Sequence, residues 1–345
     1  MNKQRKILLT FDYELSLGGK SGSVNNCILK PTNLILDILK KHHALGVFFI
    51  DITYLKRLEE VSIDYDQAKT DLIEIKNQIN RMVNEGHYVF HHIHPHWIDA
   101  TYNPEENQWD LIDRSKYTVY QLSESEREKV FSDSYRILTD ITSQSSKPHS
   151  PDGFRAGGLY IEPFSSFKQF FIKYGIKYDF STVPYLIKKH DFLFYDFSRC
   201  PEDPYYNFED EAAIKDNEGR FKEFSITQFK LKGIRKIING IYYRLNNLEG
   251  MRFTDGQSIS IEYNSSDNSK SIKNYFVSDN LLSIELINPV LITLYKKIVK
   301  KNDYLHFISH PKLLSLLNLK QFDLFLDFIN KKYQIEYDFK KFEIE

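Results

Sequence analysis

Cysteine is scarce in this chain of 345 residues: there are two, Cys27 and Cys200, and no Cys-x-x-Cys pair. A disulfide framework is thereby excluded. Long apolar runs are lacking too. The basic start Lys3-Gln4-Arg5-Lys6 is followed only by Ile7-Leu8-Leu9 before Thr10. That is too short for the apolar region of a signal peptide, and no window approaches a membrane span. A cytoplasmic location is the expectation. Charge of one sign is also missing, since 46 basic and 47 acidic residues leave a formal net charge of −1. No overall field recruits nucleic acid. Repeats and low-complexity tracts are absent as well.

What is present suits a globular enzyme. The composition is 41% hydrophobic and 27% charged, enough to bury a core. The length fits a single large α/β barrel domain over 1–345, decorated by an insertion near 183–280. Aromatics reach 15%, with 26 Phe and 23 Tyr, mostly as core filling and partly suited to stacking on carbohydrate.

The densest chemistry lies in Gly86-His87-Tyr88-Val89-Phe90-His91-His92-Ile93-His94-Pro95-His96-Trp97, which holds five of the chain's 11 histidines. Neutral imidazole is the commonest metal ligand. Tyr88 to His94 reads as a strand, so His92 and His94 share one face while His91 and Ile93 share the other. Pro95 bends the chain and can return His96 toward His92. A His-x-x-x-His pair at a strand exit is a two-imidazole platform for zinc or a similar ion.

Other polar residues repeat that placement. Ile7-Leu8-Leu9-Thr10-Phe11 reads as a buried strand ending at Asp12, and Val47-Phe48-Phe49-Ile50 as one ending at Asp51. Gly153 to Ala156 carries Arg155, Lys177 to Thr182 holds Asp179, and Tyr304 to Ser309 ends at His310. Helical stripes fill the intervals, including one opened by the capping box Ser123-Glu124-Ser125-Glu126. Active sites of parallel α/β barrels are built at just those strand ends. Between 183 and 280 lie strand-like pieces at Phe221 to Ile226 and Ser258 to Ile261. A helix with Ile234, Ile237, Ile238, Ile241, Leu245 and Leu248 stands between them. That helix is expected to pack on the barrel; its Arg235, Lys236 and Arg244 leave contact with an anionic substrate or membrane surface as the alternative.

These motifs resemble the polysaccharide deacetylases of the NodB-homology type, carbohydrate esterase family four, in a divergent subgroup of the capsule and O-antigen kind. Thr10-Phe11-Asp12-Tyr13-Glu14 is similar to the first motif, normally Thr-Phe-Asp-Asp-Gly. His92 to His96 is similar to the His-x-x-x-His of the second. Phe154-Arg155-Ala156-Gly157-Gly158 is similar to the third, Tyr178-Asp179 to the fourth and Ile308-Ser309-His310 to the fifth. The ordered set spans nearly the whole chain.

The resemblance implies a distorted (β/α)7 barrel and a metal-dependent hydrolase that removes N-acetyl or O-acetyl groups from an acetamido sugar or surface-polysaccharide precursor. It implies one divalent metal, zinc first and cobalt or nickel as alternatives, held by His92, His96 and a carboxylate. The family's second aspartate is here Tyr13, and Glu14, on the same side of extended backbone as Asp12, replaces it as the expected ligand. Asp12 would be the general base, Arg155 would keep it ionised, and His310 would be the general acid oriented by Asp179. Gly158 would line the oxyanion site. His94 would line the pocket or replace a ligand, and Trp97 and Tyr160 would be sugar platforms. Two other readings stay open: a barrel metal hydrolase using His92 and His94 as its ligand pair, and a degenerate barrel that binds glycan without turnover.

Overall fold

The computed structural model describes residues 4–111, 115–190, 193–257 and 277–342. The expected strand at Ser258 to Ile261 lies outside them. Among the described residues, seven parallel strands make the body of a nine-stranded curled sheet, β1 (Arg5–Tyr13), β2 (Gly46–Asp51), β3 (Tyr88–Ile93), β4 (Gly153–Ala156), β5 (Tyr178–Asp179), β6 (Phe221–Phe224) and β7 (Tyr304–Ser309), and the short strand Ile335–Glu336 pairs in parallel with the start of β1. Their order across the sheet is β6-β5-β4-β3-β2-β1-β7. The α-helices among the described residues are α1 (Lys30–Lys41), α2 (Ile52–Val61), α3 (Asp66–Asn84), α4 (Glu124–Thr142), α5 (Lys168–Tyr174), α6 (Gly233–Leu245), α7 (Ile292–Lys301) and α8 (Leu316–Lys332). The Ser123 capping box forms as the sequence indicates, with Glu126 accepting from the Ser123 amide at 2.9 Å and donating its own amide to Ser123 Oγ at 3.3 Å.

Strand alternation sorts the side chains into two layers. Leu8, Val47, Phe49, Phe90, Phe180 and Phe224 fill the inside of the curl. Phe339 and Phe342 join the same cluster from the C-terminal segment, whose Phe342 carbonyl accepts from Lys6 at the start of β1. The opposite faces of β1 to β3 carry Phe11, Phe48 and Val89 into a larger core shared with α1, α3 and α8. This aromatic floor leaves only the C-terminal strand ends for polar chemistry.

The two outer strands meet without a regular ladder. Just past β6, Thr227 donates its amide to the His306 carbonyl of β7 at 3.3 Å and accepts the His306 amide on Oγ1 at 2.9 Å. Leu282 adds a second link, donating to Thr227 O at 2.8 Å and accepting from Ile308 N at 3.0 Å.

Residues 183–280 depart from the sequence reading in two ways. The stretch is not only decoration: it supplies barrel strand β6 and its antiparallel neighbour Tyr205–Phe208. Lys222, between Phe221 and Glu223, breaks any apolar run and so conceals the strand's burial. The second departure is α6, whose apolar stripe does not pack on the barrel: none of its residues is buried.

Candidate active site

Odd and even residues of β1 diverge. Thr10, Asp12 and Glu14 turn inward, whereas Tyr13 points to the helical layer and donates its hydroxyl to Gln78 Oε1 of α3 at 2.9 Å. Glu14 therefore takes the place at the mouth that Tyr13 cannot. On β3 the same alternation sends His91 outward, where Ser134 Oγ of α4 lies 2.8 Å from its Nδ1. Burial pushes the His91 imidazole down to about 4, so it stays neutral. His92 turns inward.

The atoms that converge are those of Glu14, His92 and His94. Their ligating atoms all lie within 4.8 Å of one another. The two Nε2 atoms are 2.9 Å apart, and Glu14 Oε2 stands 2.6 Å from His94 Nε2 and 3.3 Å from His92 Nε2. His96, expected as the second imidazole ligand, stands outside this trio. Its ring is 5.2 Å from that of His94 and is stacked between Trp97 and Tyr117, at 6.0 and 5.8 Å. The reason is backbone shape. His94 keeps extended dihedrals and stays on the His92 side, while Pro95 starts a single 3-10 turn that carries His96 past the mouth.

The trio fits a divalent metal on its own chemistry. His92 Nδ1 lies 2.7 Å from the Arg155 carbonyl, which can only accept. Nδ1 thus carries a proton, and Nε2 is the ring atom left to face Glu14 and His94. The Glu14 carboxyl is held well below its usual range: burial alone would raise it, but Lys312, His94 and His92 outweigh that. Lys312, itself 4% exposed, donates to Glu14 Oε1 at 2.8 Å. Two imidazole nitrogens and one carboxylate, all within 4.8 Å of one another, are a donor set that suits a divalent ion of the zinc type.

Asp12 sits beside the trio. Arg155 Nη1 donates to its Oδ1 at 2.5 Å, and His310 Nε2 is 3.4 Å from its Oδ2. Burial raises the Asp12 carboxyl, but Arg155, His92 and His310 together bring it below its normal value. Arg155 is fully enclosed. Its Nε donates to Phe180 O at 3.0 Å, and its Nη2 reaches Thr10 Oγ1 at 2.8 Å and His306 Nε2 at 3.0 Å. Its plane lies 4.1 Å from the Phe49 centroid. His306 Nδ1 bonds Phe224 O at 3.0 Å, so its Nε2 accepts from the guanidinium and the ring is neutral. Burial and Arg155 accordingly push it far down.

His310 is the member of the group that opens to solvent, with a side chain 29% exposed. Its orienting partner is Glu285, not Asp179: Glu285 Oε1 lies 3.2 Å from His310 Nδ1 and accepts the His310 amide at 2.7 Å. Asp179 is excluded by alternation. Tyr178 and Phe180 point into the curl, so Asp179 points out of it, accepts from Ser181 Oγ at 2.9 Å and shares its surroundings with Glu223. Burial pushes Asp179 up, and burial with the Asp179 charge pushes Glu223 up further. Burial alone would lower the His310 imidazole, but Glu285, Asp12 and Glu14 raise it. Replacing Glu285 with glutamine removes one of those anions. The limb of an activity profile that reports loss of the His310 proton should then move to lower pH, with a smaller maximal rate. A pH series of kcat on wild type and Glu285→Gln measures this.

Two further expectations are corrected. Trp97 is 0% and Tyr160 2% exposed, and a buried ring offers no face to a sugar. Trp97 instead donates Nε1 to Asp51 Oδ2 at 2.6 Å, while Asp51 Oδ1 accepts from Thr53 Oγ1 at 2.7 Å. Burial pushes the Asp51 carboxyl up. Gly158 occupies an exposed turn with φ of 61°, where a Cβ would meet the Tyr160 ring at 2.8 Å. Glu285, Lys312 and His306 were not singled out in the sequence. Lys312 follows His310 by two positions, and only its burial beside Glu14 distinguishes it from other surface-type lysines.

Several solved structures are similar to this chain. A Mycobacterium smegmatis protein described as a polysaccharide deacetylase aligns over 97% of this chain and 87% of its own, at 11% identity and a TM-score of 0.49. A peptidoglycan deacetylase of Bacillus subtilis aligns over 45% of this chain and 50% of its own, at 22% identity and a TM-score of 0.24. A family 4 acetyl xylan esterase of Clostridium thermocellum, in complex with a cobalt ion, aligns over 52% and 60%, at 15% identity and a TM-score of 0.27. No curated protein matches the sequence. Residues 1–149, the part of the chain that supplies Asp12, Glu14, His92 and His94, match the family described as polysaccharide deacetylase.

Proposed function

We propose that this chain is a metal-dependent hydrolase that removes an acetyl group from an acetamido sugar or a glycan precursor, with Glu14, His92 and His94 as the protein ligands of one divalent ion. Zinc is the ion assigned; cobalt and nickel suit the same imidazole and carboxylate donors. The observation that carries the reading is the convergence of those three ligand atoms beside an arginine-paired aspartate and a solvent-facing histidine. It favours His92 and His94, not His92 and His96, as the imidazole pair. The polysaccharide deacetylase match over residues 1–149 supports the reaction class.

A divalent cation bound there supplies Lewis-acid polarisation of the acetyl carbonyl and of water. The chain's own residues do the rest. Asp12, kept ionised by Arg155, takes the proton from the attacking water as general base. Arg155 has no freedom to leave Asp12, because its other nitrogens are bound to Thr10, His306 and Phe180. His310, whose imidazole Glu285 and Asp12 raise above its usual range, donates to the departing nitrogen, since an amine leaves poorly without a proton. Gly157 lies against His94, where an added Cβ would meet His94 Nδ1 at 2.8 Å, so its lack of a side chain lets the backbone pass close to the metal-ligand trio. No helix among the described residues is long and apolar enough to cross a membrane.

The test is acetate release from a panel of N-acetylated and O-acetylated oligosaccharides. Zinc-loaded protein should release acetate, chelation should abolish it, and Asp12→Asn should lower kcat by roughly 10²- to 10⁴-fold with metal content unchanged. Zinc-loaded wild type that releases no acetate from any of them would overturn the reading.

A further inference from the structure

Helix α6 turns its apolar side to solvent. Ile234, Ile237, Ile238, Ile241 and Leu245 are 74, 44, 47, 53 and 81% exposed. Their spacing puts them on one face of a 13-residue helix, a strip about 20 Å long. Met251, 53% exposed, lies just beyond. The helix is held from its polar side. Asn239 Oδ1 accepts from Asn288 at 2.8 Å, and Lys236 Nζ reaches Val277 O at 3.1 Å. Those anchors explain why the isoleucines face outward: the polar face meets the body of the protein. A contiguous apolar patch of this kind marks a contact surface.

The charge around it is one-sided. From Gln228 to Arg252 the chain carries six basic residues against a single acid, Glu249; Lys230 has Asp279 at 3.8 Å, Arg252 has Glu249 at 3.7 Å and Lys236 turns to Val277 O, which leaves Lys232, Arg235 and Arg244 as the cations toward solvent. The chain as a whole is close to neutral, with a net charge of −1, so the excess is local to the helix and its flanks. We infer that α6 is a docking helix for an anionic lipid bilayer. It lies in the plane of the surface, with its isoleucines and Leu245 at the acyl boundary and its cations on headgroup phosphates. A second copy of the chain is the competing occupant. Two-fold pairing through this face would set the same cations opposite one another, which disfavours it. Asn288, which holds the polar side of α6, lies three residues from Glu285, the partner of His310. The inference stands apart from the proposed reaction.

Sedimentation of the full chain with vesicles tests it. One set is phosphatidylcholine alone, the other includes about a third phosphatidylglycerol. Wild type should sediment with the anionic vesicles and not with the neutral ones, and added salt should weaken the binding. The double variant Ile238→Glu/Ile241→Glu should lose at least about ten-fold in partitioning, while its zinc content and circular dichroism match wild type. Arg235→Gln/Arg244→Gln should fall between the two. Wild type that stays in the supernatant with anionic vesicles, or a glutamate variant that sediments as wild type does, overturns the inference. Failure to bind lipid together with a dimer that the glutamates dissociate, seen by light scattering, would assign the patch to self-association instead. Because zinc content is read in the same samples, loss of docking is distinguishable from loss of the metal site.

Discussion

His94→Ala should leave the purified protein nearly empty of divalent metal, whereas His96→Ala should retain about one ion per chain. Elemental analysis of both, beside wild type, His92→Ala and Glu14→Gln, reads the difference directly. The expectation follows from the trio. His94 Nε2 is 2.6 Å from Glu14 Oε2 and 2.9 Å from His92 Nε2, so its removal leaves one imidazole and one carboxylate. A two-ligand remnant binds zinc weakly, because protein sites use three or four donors. His96 sits at the side, its ring sandwiched between those of Trp97 and Tyr117. The reverse outcome, with metal lost from His96→Ala and kept in His94→Ala, would restore the ligand pair that the His-x-x-x-His spacing implies and would remove the basis for the trio.

Arg155→Met should cost the fold about 3–5 kcal/mol, read by denaturant unfolding of wild type and variant in metal-free buffer. The side chain is 0% exposed and its nitrogens serve Asp12, Thr10, His306 and Phe180 O. Removing it strands the Asp12 charge and several polar groups in a site floored by phenylalanines, where water cannot take over. Arg155→Lys should rescue little of this. An ammonium has no planar fork to reach the strands on both sides, and it loses the stacking on Phe49. The Asp12 carboxyl should also rise once its main compensating cation is gone, making it a poorer base at neutral pH. An Arg155→Met protein as stable as wild type would show that the guanidinium is not what holds these strand ends together.

Much of the barrel was legible because its strands advertise themselves. Ile7 to Phe11 and Val47 to Ile50 are continuous apolar runs, and a strand covered on both faces needs nothing else. Asp12, Asp51, His92, Arg155 and His310 then stood out by ending such runs. Strand β6 was harder to place: its alternation was visible in Phe221-Lys222-Glu223-Phe224, but a half-polar strand gives no sign of whether it joins a barrel or decorates one. Helix α6 misled for a different reason. An amphipathic stripe states which side is apolar, not which side faces the protein, and here Asn239 and Lys236 anchor the polar side.

The sequence by itself determined the alternating faces: Asp12 with Glu14, His92 with His94, and Tyr13 and His91 away from them. That follows from the period of two in extended backbone, which is local. The tertiary structure alone decided the partners. Glu285 and not Asp179 holds His310, Lys312 holds Glu14, and Trp97 holds Asp51. Each pairing joins segments far apart in the chain, and each depends on which strands lie side by side. Asp179 shows the limit most sharply. It has the residue type and the motif position expected of a catalytic carboxylate, and a single step of strand alternation turns it out of the barrel.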